Sequence, residues 1–217
     1  MALEAEREQV ADASRRLAAE GLVLGTAGNV SVRGEDGLVA ISPTGAVLKS
    51  LDPEQVSVID EEGNLVDGEL EPTSELDLHL GVYRRYEAGA VVHTHAPWAT
   101  AIGCAVDELP CVHYQLLLLG GTVRVAPYRT FGTPELAEVT LDALDGRTAA
   151  LMANHGAINY AQSADAAVAS ALLLEWACEV YWRAAALGTP RTLTEDERQG
   201  VVDAAAQRSY GTTRKAT

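Results

Sequence analysis

Three of the five histidines fall in two short apolar segments that read as strands: His93 and His95 in VVHTHAPWATA, and His155 in LMANHGAINY. Side chains alternate along a β-strand, so His93 and His95 leave one face and can carry two imidazoles to a single point. Val91 and Val92 before them are β-branched and apolar, as a buried strand requires, and Ala96-Pro97 ends the run. His155 follows the apolar run 149–152 and precedes Gly156, where the backbone is free to turn sharply. Three neutral imidazoles converging from two strands make a transition-metal site, best suited to zinc or an ion of similar preferences. The competing reading is a group of hydrogen-bonded core histidines, which the His-x-His pattern alone does not exclude.

Glu75 opens a helical segment in Pro72-Thr73-Ser74-Glu75. A glutamate there ordinarily complements the helix dipole or acts as a cap. Beside a histidine cluster it is the nearest candidate for a fourth, carboxylate ligand, and a carboxylate that can leave a metal also serves as a general base. His79 lies one turn further on the same helical face, as a rival ligand or as a histidine packed behind the ligands. Three turns, Gly28-Asn29, Thr44-Gly45 and Thr73-Ser74, carry hydroxyls, amides and exposed backbone N–H groups, the last at a helix start where the macrodipole favours an anion. Each is an ordinary turn singly; together they could cradle a phosphate, with no Lys or Arg among them.

These groups need a scaffold, and the composition supplies one. A chain of 217 residues that is 47% hydrophobic is long enough to bury a substantial core. The formal net charge of −15 excludes the Lys/Arg stripe that nucleic acid requires, and it disfavours an anionic membrane surface. Cys104, Cys111 and Cys178 are odd in number and never spaced as CxxC, so neither a disulfide framework nor a cysteine zinc finger is indicated. The first 21 residues are charged and amphipathic without the apolar centre of a signal peptide, and no run of about 18 apolar residues could span a bilayer. A cytoplasmic protein is expected.

Helical spacing of Val10, Ala13 and Leu17 predicts a helix over 4–20 that stops at Gly21. Strands are expected after Gly28, over 38–41 and over 56–59, with Glu62-Gly63-Asn64 as a hairpin turn. A helix over 74–87, capped by Thr73 or Ser74, precedes the His-x-His strand at 90–95. The stretch 113–119 reads equally as strand or helix, and 123–125 as a strand. Thr133-Pro134-Glu135 starts a helix, 148–153 is a strand, and a long helix runs over 164–187 to Gly188. Thr194 to Glu197 form a capping box for a last helix ending near Tyr210. No repeat or linker divides the chain, which points to one α/β domain over 1–217 with helices packed on a largely antiparallel central sheet.

GTAGNVSVR, ISPTG, EPTSE, VVHTHA, HYQLLLLGG, APYRTFGTPELAE and NHG resemble, in order and spacing, the class II aldolase/adducin-head family over roughly residues 5–210. Within it they are most similar to the branch that includes L-fuculose-1-phosphate aldolases. The resemblance implies a three-layer α/β/α fold, one zinc ion per subunit and a homotetramer with active sites between subunits. It implies Glu75, His93, His95 and His155 at the zinc, and Gly28, Asn29, Thr44, Gly45, Thr73 and Ser74 at a substrate phosphate. Tyr114, Phe131 and Tyr210 match positions that shape the aldehyde side and proton transfer, with Tyr114 and Tyr210 reaching a neighbouring subunit's site. The implied reaction is cleavage of a ketose 1-phosphate, L-fuculose 1-phosphate or a related deoxy-sugar phosphate, to dihydroxyacetone phosphate and a short aldehyde such as lactaldehyde. The same fold also suits an aldolase for a rhamnulose or 5-deoxypentulose phosphate, a pentulose-5-phosphate 4-epimerase, or a dehydratase of a thiomethyl pentulose phosphate. An adducin-type interaction module is the non-enzymatic alternative, disfavoured because all three histidines and Glu75 are present. Two departures stand out: Thr73-Ser74 replaces the family's Ser-Ser, and Gln207 stands where an aromatic is expected, which changes the pocket for the aldehyde's tail.

Overall fold

A computed structural model of the chain describes residues 2–208. Helix α1 (Glu4–Ala19) buries Val10, Ala13 and Leu17, and the chain leaves it through Gly21 at φ +75°. There follow β1 (Asn29–Arg33), β2 (Val39–Ile41), β3 (Ser57–Ile59), β4 (Leu65–Asp67), α2 (Leu76–Arg85), β5 (Ala90–Thr94), α3 (Pro97–Gly103) and β6 (Glu108–Leu109). The chain continues with a 3-10 turn (Tyr114–Leu119), β7 (Val123–Ala126), α4 (Pro134–Ala143), β8 (Ala149–Met152), β9 (Gly156–Ala161), α5 (Ala164–Leu187) and α6 (Glu195–Arg208).

The strands form one nine-stranded sheet in the order β4-β3-β2-β1-β5-β9-β8-β7-β6. Every pairing is antiparallel except β7 with β8, so the largely antiparallel sheet expected from the sequence carries one parallel step. Period-2 alternation sorts the strand residues between two helical layers. Val30, Val32, Ala90 and Val92 pack with α1, α3 and α5, whereas Val39, Ile41, Val91, Ala150 and Ile158 pack with α2 and α4. Three layers result. Along α5 the buried positions include Ala164, Ala167, Ala171 and Ala177, small residues that let a long helix lie close to the sheet.

Several local expectations are corrected. Ala96-Pro97 does end β5, yet Pro97 is also the first residue of a helix, α3, where its missing N–H goes unmissed. The stretch 113–119 resolves as 3-10 turns rather than a strand or an α-helix. The residue at the N-cap position of α2 is Glu75, not Thr73 or Ser74, and its side chain makes no cap. Thr73 instead accepts a hydrogen bond from the Glu75 N–H at 3.3 Å, which leaves the carboxylate free to turn inward. The capping box of α6 forms as expected, with Thr194 and Glu197 bonded reciprocally. Its expected end near Tyr210 lies outside the described residues.

The turn before β9 is made by Asn154 at φ +56°, not by Gly156. Gly156 answers a different constraint. A Cβ there would lie 2.2 Å from the Thr94 carbonyl oxygen and 3.1–3.3 Å from the rings of His95 and His93. Gly156→Ala should therefore lower stability by about 1–3 kcal/mol, the range for overpacking a closed interior. Gly200→Ala, where a Cβ meets nothing within 4 Å inside α6, should raise it by about 0.5–1 kcal/mol. Urea unfolding midpoints at unchanged m-value test both.

Candidate active site

Asn29 and His93 face each other across the β1–β5 register, and both point toward α2. Glu75 stands at the head of that helix and drops its buried carboxylate between them. Its Oε2 lies 3.1 Å from His93 Nε2 and accepts a 2.9 Å hydrogen bond from Asn29 Nδ2. Its Oε1 lies 3.4 Å from His155 Nε2 and has no hydrogen-bond partner. His95 sits one residue beyond the end of β5, so strict strand alternation does not apply to it. Its ring nevertheless turns back, and its Nε2 is 2.9 Å from that of His93. The three rings are mutually edge-on at centroid separations of 4.8–4.9 Å, with one nitrogen from each within 4.8 Å of the others.

These distances are unusual for ordinary core histidines. His93 Nδ1 lies 2.9 Å from the Ala157 carbonyl, which can only accept, so the proton is on Nδ1 and Nε2 offers a lone pair. That lone pair, the adjacent His95 nitrogen and the orphaned Glu75 Oε1 all converge where only a cation would satisfy them together. The electrostatics agree. Burial, and then the cost of placing more than one positive charge among three crowded imidazoles, pushes His95 and His155 down to about 4, leaving them neutral as metal ligation demands. Burial alone would raise the Glu75 carboxyl, but positive charge at the histidine cluster, where a cation would sit, and the amide of Asn29 hold it well below the usual carboxylate range. The residues fit a divalent metal with three nitrogen donors and one carboxylate.

His79, weighed above as a rival ligand, lies outside the cluster. Its Nε2 bonds Asn29 Oδ1 and its Nδ1 bonds Ser31 Oγ, and burial pushes its pKa down to about 3.

The cluster opens onto a cleft of about 490 Å³ lined by Glu75, His95 and His155 and by Gly28, Asn29, Thr44, Gly45, Thr73 and Ser74. Residues from three distant turns meet because the turns are laced together. The Thr44 N–H donates to the Glu71 carbonyl at 2.9 Å, the Thr73 N–H to the Ser42 carbonyl at 3.2 Å, and Pro43 pairs with Pro72. Those two N–H groups are thereby consumed and are not among the exposed backbone N–H groups expected of these turns. The exposed positions are Thr44, Gly45 and Ser74, whereas Asn29 and Thr73 are buried. Gly28, at φ +85°, has no room for a side chain, since a Cβ would sit 2.8 Å from the His93 carbonyl.

Phe131 lines the cleft mouth and is exposed. Beside it are Tyr128 and Arg129, two lining residues the sequence reading missed. They lie more than fifty positions from the turns they face, in a loop whose Gly132 packs close to the Ser74 carbonyl. Tyr114 does not line this cleft; it borders an apolar groove formed with Leu117, Leu118, Val201 and Val202. Tyr210 lies outside the described residues, and Gln207 is exposed on α6.

The model of the Class II Aldolase and Adducin N-terminal domain family matches residues 8–182. The chain belongs to the class II aldolase family. It is 40% identical over 203 residues to a 5-deoxy-D-ribulose 1-phosphate aldolase of Bacillus thuringiensis serovar kurstaki, covering 93% of this chain and 95% of the relative. It is 37% identical over 196 residues to the L-fuculose phosphate aldolase of Escherichia coli K12, covering 89% and 90%. A solved structure of an L-fuculose 1-phosphate aldolase superposes with a TM-score of 0.90 at 33% identity, covering 95% of this chain and 98% of that one. As a class II aldolase the protein is a metal-dependent enzyme by family, and among its described residues no helix is long and apolar enough to cross a membrane.

A metal on this donor set should depend on the imidazoles more than on the carboxylate. His95→Ala should purify with most of its metal lost, while Glu75→Gln, which leaves three imidazoles, should retain it. Elemental analysis by mass spectrometry on both variants reads the difference.

Proposed function

We propose that this enzyme reversibly cleaves a deoxy-ketose 1-phosphate to dihydroxyacetone phosphate and a short aldehyde, with zinc as its metal. The observation that carries the reading is the junction of the three-turn cradle with the Glu75–histidine cluster in one cleft. A phosphate held by Gly28, Asn29, Thr44, Gly45, Thr73 and Ser74 fixes carbon 1, which sets the reach from carbon 3 to Glu75. Zinc suits three imidazoles and a carboxylate without any thiolate.

The bond that breaks is C3–C4. The C4 hydroxyl gives up its proton as C4 becomes the aldehyde carbon, and the released electron pair is spread from C3 over the C2 carbonyl. C3 then takes a proton to complete dihydroxyacetone phosphate. A divalent metal at the cluster supplies the Lewis acidity that stabilises the negative charge at the C2 oxygen. Glu75 is assigned the proton at C3: ionised, and with Oε1 free of hydrogen-bond partners, it takes that proton from dihydroxyacetone phosphate in condensation, and in cleavage the protonated carboxyl returns it. Tyr114 is assigned the C4 oxygen: its phenol gives a proton to the aldehyde oxygen in condensation, and its phenolate takes the C4 hydroxyl proton in cleavage. It lines a different groove of its own chain, which suits a role in the site of a second subunit, as in the homotetramer implied by the family resemblance. Tyr210 is assigned a helping part on the same side, and Phe131, with Tyr128, the apolar wall against the aldehyde's tail.

The two curated relatives act, by their names, on 5-deoxyribulose 1-phosphate and fuculose phosphate. Both substrates share the dihydroxyacetone phosphate half, so a choice between them falls to the residues facing the aldehyde's tail, Tyr128 and Phe131.

Incubating the protein with dihydroxyacetone phosphate and acetaldehyde or lactaldehyde, with product identification, tests the reading; no condensation with either would refute it. In Glu75→Gln, solvent deuterium exchange at C3 of dihydroxyacetone phosphate should fall by about 10²–10⁴. In Tyr114→Phe that exchange should persist while carbon–carbon cleavage drops strongly.

For the cradle, Ser74→Ala and Thr44→Val are cleaner probes than Asn29, whose amide also holds Glu75. Each should raise KM for the phosphorylated substrate by about tenfold, the equivalent of one hydrogen bond to a charged group. Equal cleavage of a non-phosphorylated ketose would remove the cradle assignment.

A further inference from the structure

Behind Glu75 the polar chain does not stop at Asn29. Tyr83 Oη lies 2.7 Å from Ser31 Oγ, which lies 2.7 Å from His79 Nδ1; His79 Nε2 bonds Asn29 Oδ1, and Asn29 Nδ2 lies 2.9 Å from Glu75 Oε2. Every member is buried. The line exists because two periodicities match. Glu75, His79 and Tyr83 are four apart on one helical face, a rise of about 6 Å per step, while Asn29 and Ser31 are two apart on one strand face, a rise of about 6.8 Å. Helix and strand therefore interdigitate like two racks, residue for residue.

One fact fixes every hydrogen in the line. The ionised Glu75 can only accept, so Asn29 must turn its NH₂ toward it and its Oδ1 toward His79. His79 must then carry its proton on Nε2 and accept at Nδ1. Ser31 spends its single O–H on that nitrogen, and Tyr83 donates to Ser31. Along the line no two acceptors meet.

We propose that His79 is a positioning residue for the reaction: by donating to Asn29 Oδ1 it fixes the orientation of that amide, which pins Glu75 Oε2 and leaves Oε1 for chemistry. Without the His79 donor, Asn29 Oδ1 is left buried and unpaired, and the amide loses the second anchor that holds its Nδ2 on Oε2, so the carboxylate is less firmly placed. The role rests on the proposed part of Glu75 in proton transfer, but the orientation of the network does not.

Two measurements separate these. The first is a long-range ¹H–¹⁵N spectrum of the histidine rings in the metal-free full chain, with the His79 signals assigned by their absence in His79→Gln. The expected result is an Nε2–H tautomer unchanged across the neutral range; an Nδ1–H tautomer or an imidazolium overturns the proposal.

The second is solvent exchange on dihydroxyacetone phosphate, with metal content, for His79→Leu, which lacks the donor, and His79→Gln, which keeps one. Loss of a buried hydrogen bond predicts a fall of about 10–100-fold for His79→Leu with metal retained, and recovery of most of the rate in His79→Gln. A wild-type rate in His79→Leu overturns the proposal, as does a joint loss of metal and rate in both variants. Should His79→Leu not fold, Ser31→Ala takes its place. With Nδ1 no longer held as an acceptor, exchange should fall with metal retained, and an unchanged rate counts against the proposal. If the wild type itself shows no exchange, the proposed function fails while the ring spectrum still decides the network.

Discussion

A carboxylate buried against imidazoles is the interaction on which the centre of this molecule depends. Moving Glu75 out of water costs several kcal/mol unless hydrogen bonds and opposite charge replace its hydration. The protein supplies one amide donor and two imidazole neighbours, and leaves one oxygen without a hydrogen bond. Meeting those needs constrains the sheet as well as the site. Asn29 and His93 stand opposite each other in the β1–β5 register, both on the face toward α2. A slip of one residue would send them into the apolar layer beneath α1 and α5 and bring Val30 and Val92 to the carboxylate. The register of the two central strands is thus fixed twice, by the apolar alternation and by the polar group.

Much of this was legible in the sequence because the signals were local. The spacing of Val10, Ala13 and Leu17, the Thr194–Glu197 box, and the β-branched run before His93 each carry their meaning within a few residues. The convergence of His93, His95 and His155 was foreseen from strand alternation, although His95 reaches the cluster from beyond the strand's end. What stayed hidden was long-range. Strand β9 begins with a glycine and contains an asparagine, both depleted in strands, and becomes one because β5 and β8 flank it. His79 looked like a possible ligand because helical spacing puts it below Glu75; only the strand partner across from it, Ser31, shows that its ring is already bonded on both sides. Arg129 and Tyr128 enter the cleft through a loop whose Gly132 packs close to the Ser74 carbonyl, a contact that no sequence pattern announces.

The charge balance is instructive in the same way. A chain of net charge −15 offers a phosphate no general attraction, so any affinity must come from short-range groups in the cleft. Lacing the 42–45 and 71–74 turns together through their own N–H groups makes the cradle rigid before any ligand arrives. The exposed Thr44, Gly45 and Ser74 are then the parts left to meet an anion, beside the head of α2. Arg129 adds the one cationic side chain among the described lining residues, at the mouth rather than the floor.

Asn29 belongs to both constellations, and its chemistry explains why that position suits an amide. It lines the cleft between Gly28 and Thr44 while holding Glu75 with one end and His79 with the other. Aspartate, nearly identical in shape, would place a second carboxylate within 3 Å of the first, and one of the two would have to protonate. Leucine would leave a buried carboxylate oxygen and a buried imidazole N–H without partners, each at a cost of about 1–3 kcal/mol. A serine would be too short to reach both the Glu75 carboxylate and the ring of His79. Only a planar group with a donor on one side and an acceptor on the other meets a carboxylate and an N–H at once, and asparagine is the shortest side chain that offers it. Through it, the strand that shapes the floor of the cradle also sets the direction of the carboxylate, so that binding and proton transfer are aligned by one residue rather than by two that must agree.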